Sequence, residues 1–126
     1  MYAERFTQTV TTDGDGAATA YIPSSGPAIT GRIINLRYVK TDYADGVDFT
    51  LTSEATGETI WAQENVNVSV TVAPRQATCD TAGLASLYAV GGEPVEDHIV
   101  LAQDRVKVVI AAGGATTSGV FHVTVA

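Results

Sequence analysis

Apolar and polar side chains alternate with a period of two along most of this chain, the signature of strands with one buried face. The stretch from Leu36 to Ala62 shows it best, with Val47, Phe49 and Leu51 on one face and Asp48, Thr50 and Thr52 on the other. Asp45-Gly46 and Ala55-Thr56-Gly57 punctuate it, and Gly57 can supply the positive φ of a short hairpin loop, so the chain is expected to turn there and return through Thr59 to Ala62. Phe6, Gln8 and Val10 alternate with Thr7, Thr9 and Thr11. The Asp13-Gly14-Asp15-Gly16 break before Ala17 to Ile22 then suggests a first hairpin.

The same reading continues downstream. In the strand beginning at Ile29, the pattern sends Ile34, Leu36 and Tyr38 to the core and Asn35, Arg37 and Lys40 outward. Val66, Val68, Val70 and Val72 alternate with Asn67, Ser69 and Thr71, which predicts one strand of fixed register ended by Pro74. Val106, Val108 and Ile110 oppose Arg105 and Lys107. Phe121, Val123 and Val125 oppose His122 and Thr124, so a second hairpin is expected here. About eight strands and no helix of typical length predict an all-β fold, an antiparallel β-sandwich or jelly roll, as a single domain over 1–126. One segment near 75–96 stays irregular. It reads as an extended arm or a short helical turn that contacts a partner or sister subunit, or else as a crossover between sheets.

Composition narrows function by exclusion. Fourteen acidic against seven basic side chains, a net charge of -7, disfavour wrapping a phosphate backbone, so no nucleic acid is expected. The lone Cys79 cannot form an internal disulfide, which suits a reducing cytosol. No window approaches the length of an apolar membrane span and the first residues carry no signal-like apolar run, so no membrane association is expected.

Candidate chemistry is sparse. Asp13 and Asp15 begin like a calcium loop, but the later ligands of such a loop are missing; Asp42, Asp45 and Asp48 form a second acidic group open to the same surface-cation reading. His98 and His122 are the only histidines, and nothing in the spacing relates either to Cys79 or to a serine, so neither a catalytic residue nor a cofactor is expected. Arg32, Arg37 and Lys40, three of the seven basic residues, fall in one strand and form a positive stripe, to dock an acidic surface or to pair with Asp48 or Glu58. Trp61, next to Ile60, is a candidate interface anchor or a core residue. Leu84, Leu87 and Tyr88 are the apolar candidates of the irregular segment.

The runs F-T-Q-T-V-T-T-D-G-D-G-A-A-T-A-Y-I-P, L-R-Y-V-K-T-D-Y-A-D-G-V-D-F-T-L-T and G-V-F-H-V-T-V resemble those of small β-rich virion structural proteins of tailed bacteriophages and prophages. The resemblance implies a non-enzymatic head decoration protein, made in the host cytoplasm and located in the virion. Its implied partners are the major capsid protein or other virion proteins and copies of itself, with a homotrimer favoured. A tail or neck accessory protein fits the same resemblance. A carbohydrate- or ligand-binding β-sandwich module is the rival of another class, with a groove lined by Trp61, Tyr43 and Tyr88.

Overall fold

The computed structural model describes residues 2–126, and within them every regular element is a strand. The strands are β1 (Glu4–Thr11), β2 (Ala18–Ile22), β3 (Ile29–Lys40), β4 (Val47–Ser53), β5 (Thr59–Val66), β6 (Val70–Val72), β7 (Arg75–Ala77), β8 (Glu96–His98), β9 (Val100–Asp104), β10 (Val106–Ala111) and β11 (Ser118–Val125). One sheet runs β1-β11-β3-β6 with β9 also paired to β3, the other runs β2-β10-β4-β5, and β7-β8 form a separate ribbon. The sandwich expected from the sequence, with about eight strands, is the body of the molecule, five strands in one sheet and four in the other; the short strands β7 and β8 bring the total among the described residues to eleven.

The two sheets are in step. β1 lies opposite β2 in the sheet order, β11 opposite β10, β3 opposite β4 and β6 opposite β5. Each pair is consecutive in the chain, so four connections cross from one sheet to the other as arches at 12–17, 41–46, 67–69 and 112–117.

These arches bond to one another. Gly113 N–H donates to the Gly16 carbonyl at 2.9 Å, Thr116 N–H to Asp13 at 3.0 Å, and Ala44 N–H to Gly113 at 2.9 Å. Gly46 N–H donates to Asn67 Oδ1 at 2.7 Å, which joins the last arch to the stack. Gly16 has φ +79°, and a Cβ there would fall 2.9 Å from the backbone nitrogen of Gly114, so this contact between arches demands glycine.

The arches correct two expected hairpins. β1 pairs with β11 and β2 with β10, while β10 and β11 lie in different sheets. An arch and a hairpin share glycine-rich punctuation and flanking alternation. They differ in whether the two apolar faces meet across the core or lie side by side, which short-range pattern does not encode. The β4–β5 hairpin is as expected, with Gly57 at φ +77°.

Three details of side-chain facing also differ. Ile33 is fully buried and Ile34 only half-buried, because a register shift between Thr124 and Val125 sets Val125 opposite Ile33 and reverses the parity of β3 below Leu36. The four-valine run is not one strand: Val66 is buried at the end of β5, Val68 is 68% exposed in the arch, and Val70 and Val72 pack from the other sheet. Trp61 and Ile60 both turn inward, since a register shift between Leu51 and Thr52 leaves an extra residue in β5.

The core between the sheets holds an aromatic cluster at the arch end. Tyr38 lies with its ring centroid 4.7 Å from that of Phe49 and 5.4 Å from that of Phe121, and Trp61 lies 5.7 Å from Phe49. Burying one such ring or a branched aliphatic side chain stabilises by roughly 1.5–3 kcal/mol. The core of such side chains therefore holds the sheets together without a disulfide.

Candidate interaction surfaces

The segment between β7 and β8 is the least covered part of the molecule. It leaves β6 and returns to β9, strands that pair with successive stretches of the same β3, so it is an excursion and not a crossover between sheets. β7 and β8 form its stem, Arg75 opposite His98 through Ala77 opposite Glu96.

Above the stem the arm splits into two small hairpins, bridged at Cys79 with Ala85 and at Leu87 with Pro94. Three backbone hydrogen bonds close a ring at the branch: Thr78 N–H to Val95, Val95 N–H to Ser86 and Ser86 N–H to Thr78, each 2.8 Å. Asp80 holds the first hairpin by accepting from Ala82 and Leu84 N–H at 2.8 and 3.1 Å. The arm is thus ordered by its own backbone, since residues 79–93 are exposed throughout.

Its apolar side chains have nothing to pack on. Leu84 is 67% exposed, Leu87 44%, Tyr88 75% and Val90 105%. These are four of the seven large hydrophobic residues exposed among the described residues, so the apolar surface is concentrated on one projection.

The expected positive stripe is broken up. Lys40 Nζ bonds Asp45 Oδ1 at 2.6 Å and the Asn67 carbonyl at 3.0 Å, pinning two arches instead of facing outward to Asp48 or Glu58. Arg32 lies at the other end of β3, opposite Val100 and near enough to Asp97 to act on it electrostatically. Arg37 alone points over the outer face of the first sheet. It donates to Thr71 Oγ1 at 2.7 Å and lines a depression of about 370 Å³ with Arg5, Asn35, His122 and Thr124. Trp61 is half-buried against Phe49, a core neighbour more than a free anchor.

The acidic loops serve the fold. Asp13 Oδ1 accepts from Asp15 and Ala17 N–H at 2.8 and 3.1 Å, and these backbone donors hold its carboxyl below the usual range. Asp42 accepts from Ser118 N–H at 2.5 Å and Asp48 from Asn65 N–H at 3.0 Å. No group of three or more His, Cys, Asp or Glu side chains gathers among the described residues in a way that could hold a metal ion. His98 Nδ1 lies 3.0 Å from Asp97 on the ribbon, and His122 Nδ1 lies 2.9 Å from Thr7 Oγ1 on the sheet face. Cys79 is exposed on the arm, its Sγ 3.6 Å from the Ala77 carbonyl. Of the three aromatics of the supposed ligand groove, Tyr43 is buried to 2% exposure and cannot line an open surface. Among the described residues no helix is long and apolar enough to cross a membrane.

No protein-family model matches this chain. No curated protein matches it either. Among solved structures, the crystal structure of FLHE aligns over 98% of this chain and 96% of its own, at 13% identity and a TM-score of 0.43. A likeness at that level carries no argument about fold or function.

Arg5 and the arm residue Val90 were not legible as surface candidates. Arg5 reaches the depression only because β1 pairs with β11, a contact between the two ends of the chain. Val90 sits in a Gly-rich turn with no alternation around it.

Proposed function

We propose that this chain is a non-catalytic structural protein of a phage-type particle, a head decoration protein that docks on capsid subunits and on copies of itself through the arm at 75–98. The observation that carries the reading is the apolar tip of that arm, with Leu84, Leu87, Tyr88 and Val90 open to solvent on a backbone already ordered by its own hydrogen bonds. A preordered arm loses little conformational entropy when it binds, and a tyrosine flanked by aliphatic side chains is the composition of an interface anchor. Burying that tip gains roughly 25 cal/mol per Å² of apolar surface. The net charge of -7 keeps such a protein off packaged DNA while its apolar tip finds a protein surface. The resemblance of its strand and turn runs to virion proteins supplies the particle; a tail or neck position is served by the same arm.

The test is cosedimentation of the purified protein with shells assembled from the major capsid protein of the same genome. The protein is expected to pellet with shells at a fixed ratio, and the triple variant Leu84→Ser, Tyr88→Ser, Val90→Ser to stay in the supernatant while remaining folded. Equal binding of the variant would remove the arm from the account, and no binding of either protein would remove the capsid.

A further inference from the structure

The outer face of the first sheet carries a second feature, one that docking of the arm does not use. Register builds it. Arg5, Thr124 and Asn35 stand in one row across β1, β11 and β3, and Thr7, His122, Arg37 and Thr71 stand in the next row across β1, β11, β3 and β6. Strands lie about 4.8 Å apart and same-face residues about 6.8 Å apart along a strand, so the Cα atoms of Arg5 and Arg37 are roughly 12 Å apart on the diagonal. Both arginine side chains line the depression together with Thr124 and His122, Arg5 from β1 and Arg37 from β3, the Arg37 guanidinium being held on the β6 side by Thr71.

The lining has one electrostatic sign. Arg5, Asn35, Arg37, Thr71, His122 and Thr124 include two guanidinium groups, one imidazole, an amide and two hydroxyls, and no carboxylate. This is notable in a chain whose acidic side chains outnumber its basic ones two to one. Arg5 has no hydrogen-bond or ion-pair partner among the described residues, and Arg37 is held in place only by the neutral Thr71 hydroxyl. His122 is likewise oriented by a neutral group, its Nδ1 2.9 Å from Thr7 Oγ1. Elsewhere the cations Lys40 and Arg105 are matched by Asp45 at 2.6 Å and Glu54 at 2.5 Å.

We propose that this depression binds a compact small-molecule oxyanion bearing two or more negative charges, a di- or tricarboxylate or a phosphate monoester. Guanidinium forks meet both groups with paired N–H donors, and the threonine hydroxyls and the Asn35 amide add neutral donors to the remaining oxygens. A polyanion is disfavoured because the net charge of -7 repels it beyond the rim, whereas a small ligand is held by contacts within a few ångströms, where local donors dominate.

The test is an NMR titration of the intact protein with citrate and, separately, with inorganic phosphate, at constant ionic strength. His122 is assigned by loss of its signals in His122→Gln. Saturable shifts of His122 and of the Thr124 amide are expected with at least one probe, while His98 on the ribbon stays still. The affinity should fall at least tenfold in Arg5→Gln and in Arg37→Gln and stay unchanged in Lys107→Gln, a cation of the opposite sheet. Saturation by citrate alone assigns a carboxylate ligand, and by phosphate alone a phosphate ester. Shifts that grow linearly without saturation with both probes, or that weaken equally in Lys107→Gln, would overturn the proposal, as would tighter binding of a DNA oligonucleotide at the same residues.

Discussion

Gly119 faces the ring of Tyr43 so closely that a Cβ at position 119 would lie 2.3 Å from a ring carbon of Tyr43, and 2.9 Å from Tyr38. Backbone strain is not the issue, since φ at Gly119 is not positive; the constraint is space. Tyr43 belongs to the arch at 41–46 and Gly119 to β11, so this contact locks an arch onto the central strand of the first sheet. Gly119→Ala is expected to destabilise by about 1–3 kcal/mol or more in urea denaturation. Tyr43→Leu should relieve part of the clash, with a coupling of at least about 1 kcal/mol in the double-mutant cycle. Additive effects would mean the two side chains do not compete for the same volume.

The two buried tyrosines make opposite predictions. Tyr43 OH donates a hydrogen bond to the Val10 carbonyl, whereas Tyr38 OH is buried with no protein partner. Burial pushes both phenols above their usual range, and for Tyr43 the neighbouring Tyr38 adds to it. Tyr43→Phe should cost about 1–3 kcal/mol by leaving the Val10 carbonyl unsatisfied. Tyr38→Phe should be neutral or stabilising by up to about 1 kcal/mol. Thermal denaturation of the two variants side by side checks the sign of each.

At the opposite end of the sandwich, Asp104 makes stability depend on pH. It is 7% exposed and accepts hydrogen bonds from the Ser53 hydroxyl, from Ala55 N–H at 3.0 Å and from Arg105 N–H at 2.7 Å. Burial alone would raise its pKa; the Ser53 hydroxyl and the two backbone donors outweigh burial and lower it. An unfolded aspartate titrates near about 3.9. The carboxylate therefore contributes its full stabilisation above that pH, and the contribution is lost as pH falls through the lower folded value. Asp104→Asn should be less stable than the parent at neutral pH, and the difference should shrink in acid. A pH series of urea midpoints measures it, and a difference that does not change with pH would contradict the assignment.

Substitutions on the arm should separate stability from assembly. Leu84→Ser, Tyr88→Ser and Val90→Ser remove no packing, so each should change folding stability by less than about 0.5 kcal/mol. Cys79 on the same arm should react with a maleimide in the folded protein nearly as fast as in denaturant, and should become protected when the arm is covered. Slow labelling of the free protein would mean that the arm lies against the body.

The fold class was legible because a period of two survives nearly everywhere: Phe49, Leu51, Val108, Phe121 and Val123 all face inward as their spacing predicts. Partners were not legible. β1 against β11 joins the first and last strands, and nothing local records that pairing. Bulges defeated parity at Ile33 and Ile34 and at Ile60 and Trp61, because one extra residue reverses every assignment beyond it. The valine run misled for a different reason, since alternation over 66–72 continues through an arch where Val68 has no face to join. The loss of alternation over 75–96 marks the arm, but its β7–β8 stem and the closed ring of Thr78, Ser86 and Val95 rest on main-chain bonds that carry no side-chain signature.

The in-step order of the two sheets bears on how the polypeptide reaches its native state. β11 lies between β1 and β3, and β10 between β2 and β4, so the strands that flank β1 and β2 both come from the last quarter of the chain. The first arch cannot acquire its neighbours until residues 106–125 have arrived, and until then β1 and β2 expose unpaired edges. Closing loops that long before any contact repays them makes for slow refolding and a vulnerable interval, during which a chaperone or a second chain competes for the same edges.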